Sequence, residues 1–78
     1  MRSQPTTDIR IRFGKAVRKR RNELEISQEE LAECADLHRT YISDLERGRR
    51  NVSLENIEKL AKALNLSISE LIQRVDDR

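Results

Sequence analysis

The stretch His38–Asn51, HRTYISDLERGRRN, concentrates the side chains of this chain best equipped for chemistry. Arg39, Thr40, Ser43 and Arg47 follow one another at intervals of one to four residues, and Arg49, Arg50 and Asn51 come after a glycine. The chemistry such groups offer is recognition. Guanidinium groups donate paired hydrogen bonds to guanine O6 and N7 or to phosphate, and hydroxyls bond to either. A charge run is more often a solvated face, so the stretch by itself decides nothing. Covalent chemistry has less behind it. Cys34 and His38 are near neighbours, but no third group orients the histidine, and an enzyme needs a nucleophile–base pair or a metal cluster. One cysteine cannot form an internal disulfide, and one cysteine with one histidine cannot complete a tetrahedral zinc site. The expectation is a protein that is no enzyme and uses no cofactor or metal.

These side chains need a scaffold, and 78 residues allow one small domain near the lower limit for a core without staples. Glu, Leu, Arg, Ile and Ala dominate, and two glycines with one proline leave little punctuation for a β fold. The core must be aliphatic, because Phe13 and Tyr41 are the only aromatics. That scarcity also disfavours a reader of single-stranded nucleic acid, which stacks bases on several rings. No apolar run approaches the ~20 residues of a membrane span, and the N-terminus lacks the apolar centre of a signal peptide. A soluble protein of the reducing cytoplasm is expected, with no membrane partner. The net charge is only +2, but residues 1–50 hold 12 Lys/Arg against 9 Asp/Glu while residues 51–78 hold 4 against 5. The bases gather into RKRR (18–21) and RGRR (47–50), which flank one compact motif.

The pattern predicts five helices and no strand. Residues 1–7, MRSQPTT, hold the proline and no apolar period, and read as a flexible arm ahead of a single domain over 8–78. Asp8 can start helix 1, with Ile9, Phe13, Ala16, Val17 and Leu24 inward. SQEE at 27–30 is a capping box that opens helix 2, with Leu31, Ala32 and Ala35 inward. Asp36 sits in a short turn, and helix 3 runs from His38 or Arg39 to a stop at Gly48. Ser53 caps helix 4, whose Leu54, Ile57, Leu60, Ala61 and Leu64 form a stripe. SISE at 67–70 is a second capping box and opens helix 5, about residues 68–75.

On helix 3, at about 100° per residue, Arg39, Ser43, Arg47 and Thr40 share one side, while Tyr41, Leu45 and Ile42 share the other. Two short helices joined by a three- or four-residue turn, the second exposing Arg and Thr near its start, match a helix-turn-helix whose second helix enters the major groove. Glu46 lies at the edge of the packed side, where a lone carboxylate would be costly. Arg21, at the end of helix 1, is its expected partner in a structural ion pair.

SQEELAECADLHRTYISDLERG, continued by RRNVSLENIEKLAKALNLSISEL, resembles the Cro/C1-type (xenobiotic-response-element, XRE) helix-turn-helix family over roughly residues 9–72. Within it, LHRTYISDLERGRRNVSLENI is most similar to the controller proteins of restriction–modification systems. The resemblance implies an all-α, five-helix, lambda-repressor-like fold and a sequence-specific transcriptional regulator that binds double-stranded DNA. It also implies roles. Arg39, Thr40, Tyr41 and Ser43 fall at base-reading positions, and Gln28, Arg47, Arg49, Arg50 and Asn51 at DNA-backbone positions. The Arg21–Glu46 pair is a scaffold feature of the family. Asp36 and Glu25 stand where glycines are frequent, and Arg20 where an apolar residue is common, so its stem is expected on the core with its charge outside.

One module makes few base contacts, so a homodimer on a pseudo-palindromic operator is expected. Leu71 should pack into the monomer. Ile68, Ile72 and Val75 either close the core or supply the dimer interface. For an activator, RNA polymerase would be a further partner, and operator-bound protein would sit with the nucleoid. The competing readings are a phage-type repressor or other small regulator of the same family, and an antitoxin-like protein-interaction module.

Overall fold

The computed structural model describes residues 8–76, and within them the chain is all-α. The helices are α1 (Ile9–Glu23), α2 (Gln28–Ala35), α3 (Arg39–Glu46), α4 (Leu54–Ala63) and α5 (Ile68–Asp76). The expected N-terminal arm lies outside the described residues. α1 packs against α3 and α5, and α2 packs against α3 and α4, so the motif carrying the arginines rests on α1 and α4.

Side-chain oxygens start four of the helices. Asp8 accepts from Arg10 N at 2.8 Å, and Ser53 Oγ accepts from Asn56 N at 3.2 Å. Both capping boxes form: Glu30 N donates to Ser27 Oγ while Ser27 N donates to Glu30, and Ser67 pairs with Glu70 in the same way. α3 starts at His38 without a side-chain cap.

The first four helices end alike. A residue with positive φ follows each one: Glu25 at 58°, Asp36 at 58°, Gly48 at 77° and Asn65 at 61°. Each ending has the paired bonds of the Schellman motif, in which two successive N–H groups reach back to carbonyls of the last turn. At α2, Leu37 N donates to Ala32 O at 2.9 Å and Asp36 N to Glu33 O at 3.3 Å; at α4, Leu66 N donates to Ala61 O at 2.8 Å. The residue after the left-handed position is Ile26, Leu37 or Leu66 in three cases, and each packs against the core.

Phe13, Ala16 and Val17 of α1, Leu31, Ala32 and Ala35 of α2, Ile42 and Leu45 of α3, Leu60, Ala61 and Leu64 from α4 and its C-terminal cap, and Leu71 and Val75 of α5 form one continuous core. Burying each of the larger aliphatics contributes roughly 1.5–3 kcal/mol. Val75 is only 5% exposed and belongs to this core, which corrects its assignment to a dimer interface. Two inward expectations also fail. Ile9 is 54% exposed because it starts α1 one turn before Phe13 reaches the core, and Leu54 is 81% exposed at the open first position of α4. Arg20 does not hold its charge outside: its Nε–H donates to the Leu64 carbonyl at 3.0 Å, closing the end of α4. Arg20 and Arg74 also both grip Glu23, tying α5 to α1, and Arg74 first, then Arg20, holds the Glu23 carboxyl below its ordinary range.

Gly14 has a role that helical periodicity does not reveal. A Cβ there would collide with the carbonyl oxygen of Leu45 and lie 2.8 Å from that of Glu46. α1 and the end of α3 therefore touch backbone to backbone, and only glycine permits it.

Candidate nucleic-acid interface

The turn between α2 and α3 is Asp36, Leu37 and His38, short enough that the orientation of α3 is set by α2. Leu37 packs against the core, while Ile42 and Leu45 are buried to 0% and 1% exposure, so one side of α3 is fixed. The other side carries Arg39 and Thr40, both exposed, with Ser43 half-buried behind them. After α3 the chain turns at Gly48, whose φ of +77° lies in the region that glycine tolerates best. Arg47, Arg49, Arg50 and Asn51 are all exposed around that turn. Exposed arginines thus stand at both ends of α3: Arg39 at its start, and Arg47, Arg49 and Arg50 around its exit.

Glu46 explains how this edge is held. Its side chain is 4% exposed and takes a bidentate pair from Arg21, with Nε at 2.8 Å and Nη2 at 3.0 Å. Arg21 also donates from Nη1 to the Ile26 carbonyl at 2.9 Å, and Gln28 Nε2 donates to Glu46 Oε1 at 3.0 Å. Both ions are thereby satisfied, as a buried pair must be if it is not to destabilise. The hydrogen bond to Glu46 raises the Arg21 guanidinium above its ordinary value. The end of α1, the start of α2 and the end of α3 are locked at one point.

Gln28 is thus half-buried against Glu46 rather than pointing wholly outward, as a backbone-contacting glutamine alone would. Its amide has a second N–H and an oxygen, so the internal bond orients it without using it up. Tyr41 is also half-buried, not fully displayed with Arg39. Its hydroxyl accepts from Asn56 Nδ2 at 3.1 Å, and the Arg50 guanidinium lies 5.3 Å from its ring centroid. Asn56 and Asp44 are the residues that reading the sequence missed. Asp44 Oδ2 pairs with Arg50 Nη2 at 3.2 Å. A carboxylate within an arginine-rich stretch was the available signal for Asp44; Asn56 gave none.

Away from this edge, α5 presents Ile68 and Ile72, 44% and 40% exposed and four residues apart, so they stand on one face. No helix among the described residues is long and apolar enough to cross a membrane.

Comparison with known proteins adds relatives to this geometry. A helix-turn-helix family model (HTH_3) matches residues 17–71. The chain is 56% identical over 68 residues to the control protein C.BamHI of Bacillus amyloliquefaciens, covering 86% of this chain and 84% of that one. It is 47% identical over 70 residues to the control protein C.MunI of a Mycoplasma species, covering 88% and 95%. Among solved structures, the restriction-modification controller protein C.AhdI from Aeromonas hydrophila superposes with a TM-score of 0.78 at 47% identity, over 80% of this chain and 94% of that one.

Proposed function

The chain belongs to the Cro/C1-type helix-turn-helix family of DNA-binding transcriptional regulators, and on that premise we propose that it is the controller of a restriction–modification system. It acts as a homodimer on a pseudo-palindromic operator in double-stranded DNA. The observation that carries this reading is one side of α3 held by Ile42, Leu45 and the Arg21–Glu46 pair, with Arg39 and Thr40 exposed on the other.

In this reading α3 enters the major groove. Arg39 donates to guanine O6 and N7, Thr40 offers a hydroxyl and a methyl, and Ser43 adds a hydroxyl at the groove wall. Tyr41 reaches the edge of the same set from beneath Arg50. Gln28, Arg47, Arg49, Arg50 and Asn51 fix the register on the phosphates without reading base edges directly. Ile68 and Ile72 form the two-fold contact that places a second α3 about one helical turn, ~34–36 Å, away. Contact with RNA polymerase follows if the operator-bound dimer activates. The protein works in the cytoplasm, on the nucleoid when bound.

Selection of binding sites from random duplex DNA tests the reading. The expected product is a two-fold symmetric sequence that also occurs beside endonuclease and methyltransferase genes in the encoding genome. Selection of a site found only beside unrelated genes would remove the controller assignment and leave a general regulator. Failure to enrich any duplex would overturn both.

A further inference from the structure

Arg39, Arg47 and Arg49 form no ion pair with a carboxylate among the described residues, whereas Arg50, in the same stretch, has one. Its partner, Asp44, sits on the exposed side of α3, and a carboxylate beside a polyanion should on simple electrostatics weaken binding. Its geometry gives it another use. The Asp44 backbone carbonyl accepts from Arg47 N at 3.1 Å and Arg49 N at 3.0 Å, so this residue already holds the exit turn. Its side chain then takes Arg50 Nη2 at 3.2 Å, while the same guanidinium lies over the Tyr41 ring at 5.3 Å. Tyr41 is anchored in turn by Asn56 of α4 at 3.1 Å. An arginine head with a carboxylate at its edge and an aromatic ring at its face is restrained before any ligand arrives.

Resting on the DNA-binding reading above, we propose that Asp44 is the positioning residue for Arg50. It fixes the guanidinium in one geometry on Tyr41, and thereby sets the preference for operator over random DNA. Random duplex can be met by an arginine in any rotamer, because phosphate charge is everywhere along it. Operator DNA presents its backbone in one register relative to α3, so an arginine fixed relative to α3 contributes more there. Asp44 therefore weakens binding to random duplex, strengthens binding to the operator, and so improves discrimination.

The test compares the full-length chain with Asp44→Asn, Arg50→Ala and the double variant, by fluorescence anisotropy at fixed salt. The probes are the duplex that the wild-type chain selects and a scrambled duplex. Asp44→Asn should bind the selected duplex roughly three- to fivefold more weakly, the range of one exposed, well-oriented pair. It should bind the scrambled duplex as well as or better than wild type. In the Arg50→Ala background the same change should have no effect on the selected duplex, and Asp44→Glu, which keeps a carboxylate within reach, should restore the discrimination ratio. Tighter binding of Asp44→Asn to both duplexes would overturn the proposal and leave Asp44 a simple repulsive charge. An undiminished loss in the Arg50→Ala background would overturn it too, pointing to direct acceptance from a base amine. Equal wild-type binding to every duplex would overturn the DNA-reading premise and this inference with it.

Discussion

Removing Glu46, whose carboxylate is the most enclosed charge of the domain's ion pairs, should do more damage than removing any of the others. Its side chain is 4% exposed and Arg21's is 11%, so water cannot compensate whichever ion is left behind. Glu46→Ala deletes the acceptor of three hydrogen bonds, two from Arg21 and one from Gln28. Breaking one side of a buried pair costs about 3–5 kcal/mol. Arg21 keeps its bond to the Ile26 carbonyl and a sliver of solvent, which places the expected loss nearer about 2–4 kcal/mol. A domain of this length has a total stability of only about 4–12 kcal/mol, so the variant should lose a large share of it. Urea unfolding monitored by circular dichroism should show a midpoint shifted to lower denaturant with an unchanged slope. Arg21→Ala should cost less, because Glu46 can then still accept from Gln28, and the double variant should cost less than the two single losses added. A loss below ~1 kcal/mol for Glu46→Ala, or strict additivity in the cycle, would refute the argument that this pair locks α1, α2 and α3 together.

Four further outcomes follow from particular contacts. Gly14→Ala gains up to ~1 kcal/mol of helix propensity but drives a methyl into the Leu45 and Glu46 carbonyls, so a net loss of about 1–3 kcal/mol in thermal unfolding is expected, with weaker DNA binding as α3 is displaced. Asp36→Gly relieves a left-handed residue with φ of 58° and should raise stability by about 0.5–1 kcal/mol, since the relief exceeds the added freedom of the unfolded chain; a loss would show that the Asp36 side chain contributes more than its backbone costs. Arg39→Ala should weaken binding to the selected duplex by about 1–3 kcal/mol and relax one base pair, whereas Arg49→Ala should weaken all duplexes alike and reduce the salt slope by about one. If the proposed dimer forms through α5, Ile72→Glu should sediment as a folded monomer where the wild-type chain sediments as a dimer, because that side chain is 40% exposed in the single chain.

Helix number, the two capping boxes and the packed side of α3 were legible because each is local. A serine followed three residues later by glutamate and a run of aliphatics at helical spacing mean the same thing in most folds. The Arg21–Glu46 pair was legible for a different reason: a carboxylate on a packed face demands a partner, and the nearest basic cluster supplied one. What escaped was set by contacts between elements. Val75 has the same aliphatic character as Ile68 and Ile72, but it follows the fully buried Leu71 by four residues and shares its side of α5. Leu54 fits the stripe of α4 by spacing, yet at the first position of that helix it is left 81% exposed. Gly14 carries no local signal of its role, because that role depends on where the end of α3 crosses.

The first four helices share one Schellman ending. In three of them the residue after the left-handed position is apolar and seals its helix end against the core: Ile26 after α1, Leu37 after α2 and Leu66 after α4. After α3 that position is Arg49, which is exposed, although its N–H makes the same bond to the Asp44 carbonyl at 3.0 Å. The backbone motif is therefore complete at all four ends, and only its side-chain content changes at the one beside the exposed arginines. A hydrophobic residue at 49 would have stabilised the exit of α3 as it does the other three. The chain forgoes that contact at the point where its basic side chains converge, and it recovers rigidity with polar links instead, from Asp44 to Arg50, Tyr41 and Asn56. Such a substitution of polar support for apolar sealing is what a surface requires when it must stay both ordered and wettable to meet a phosphate backbone.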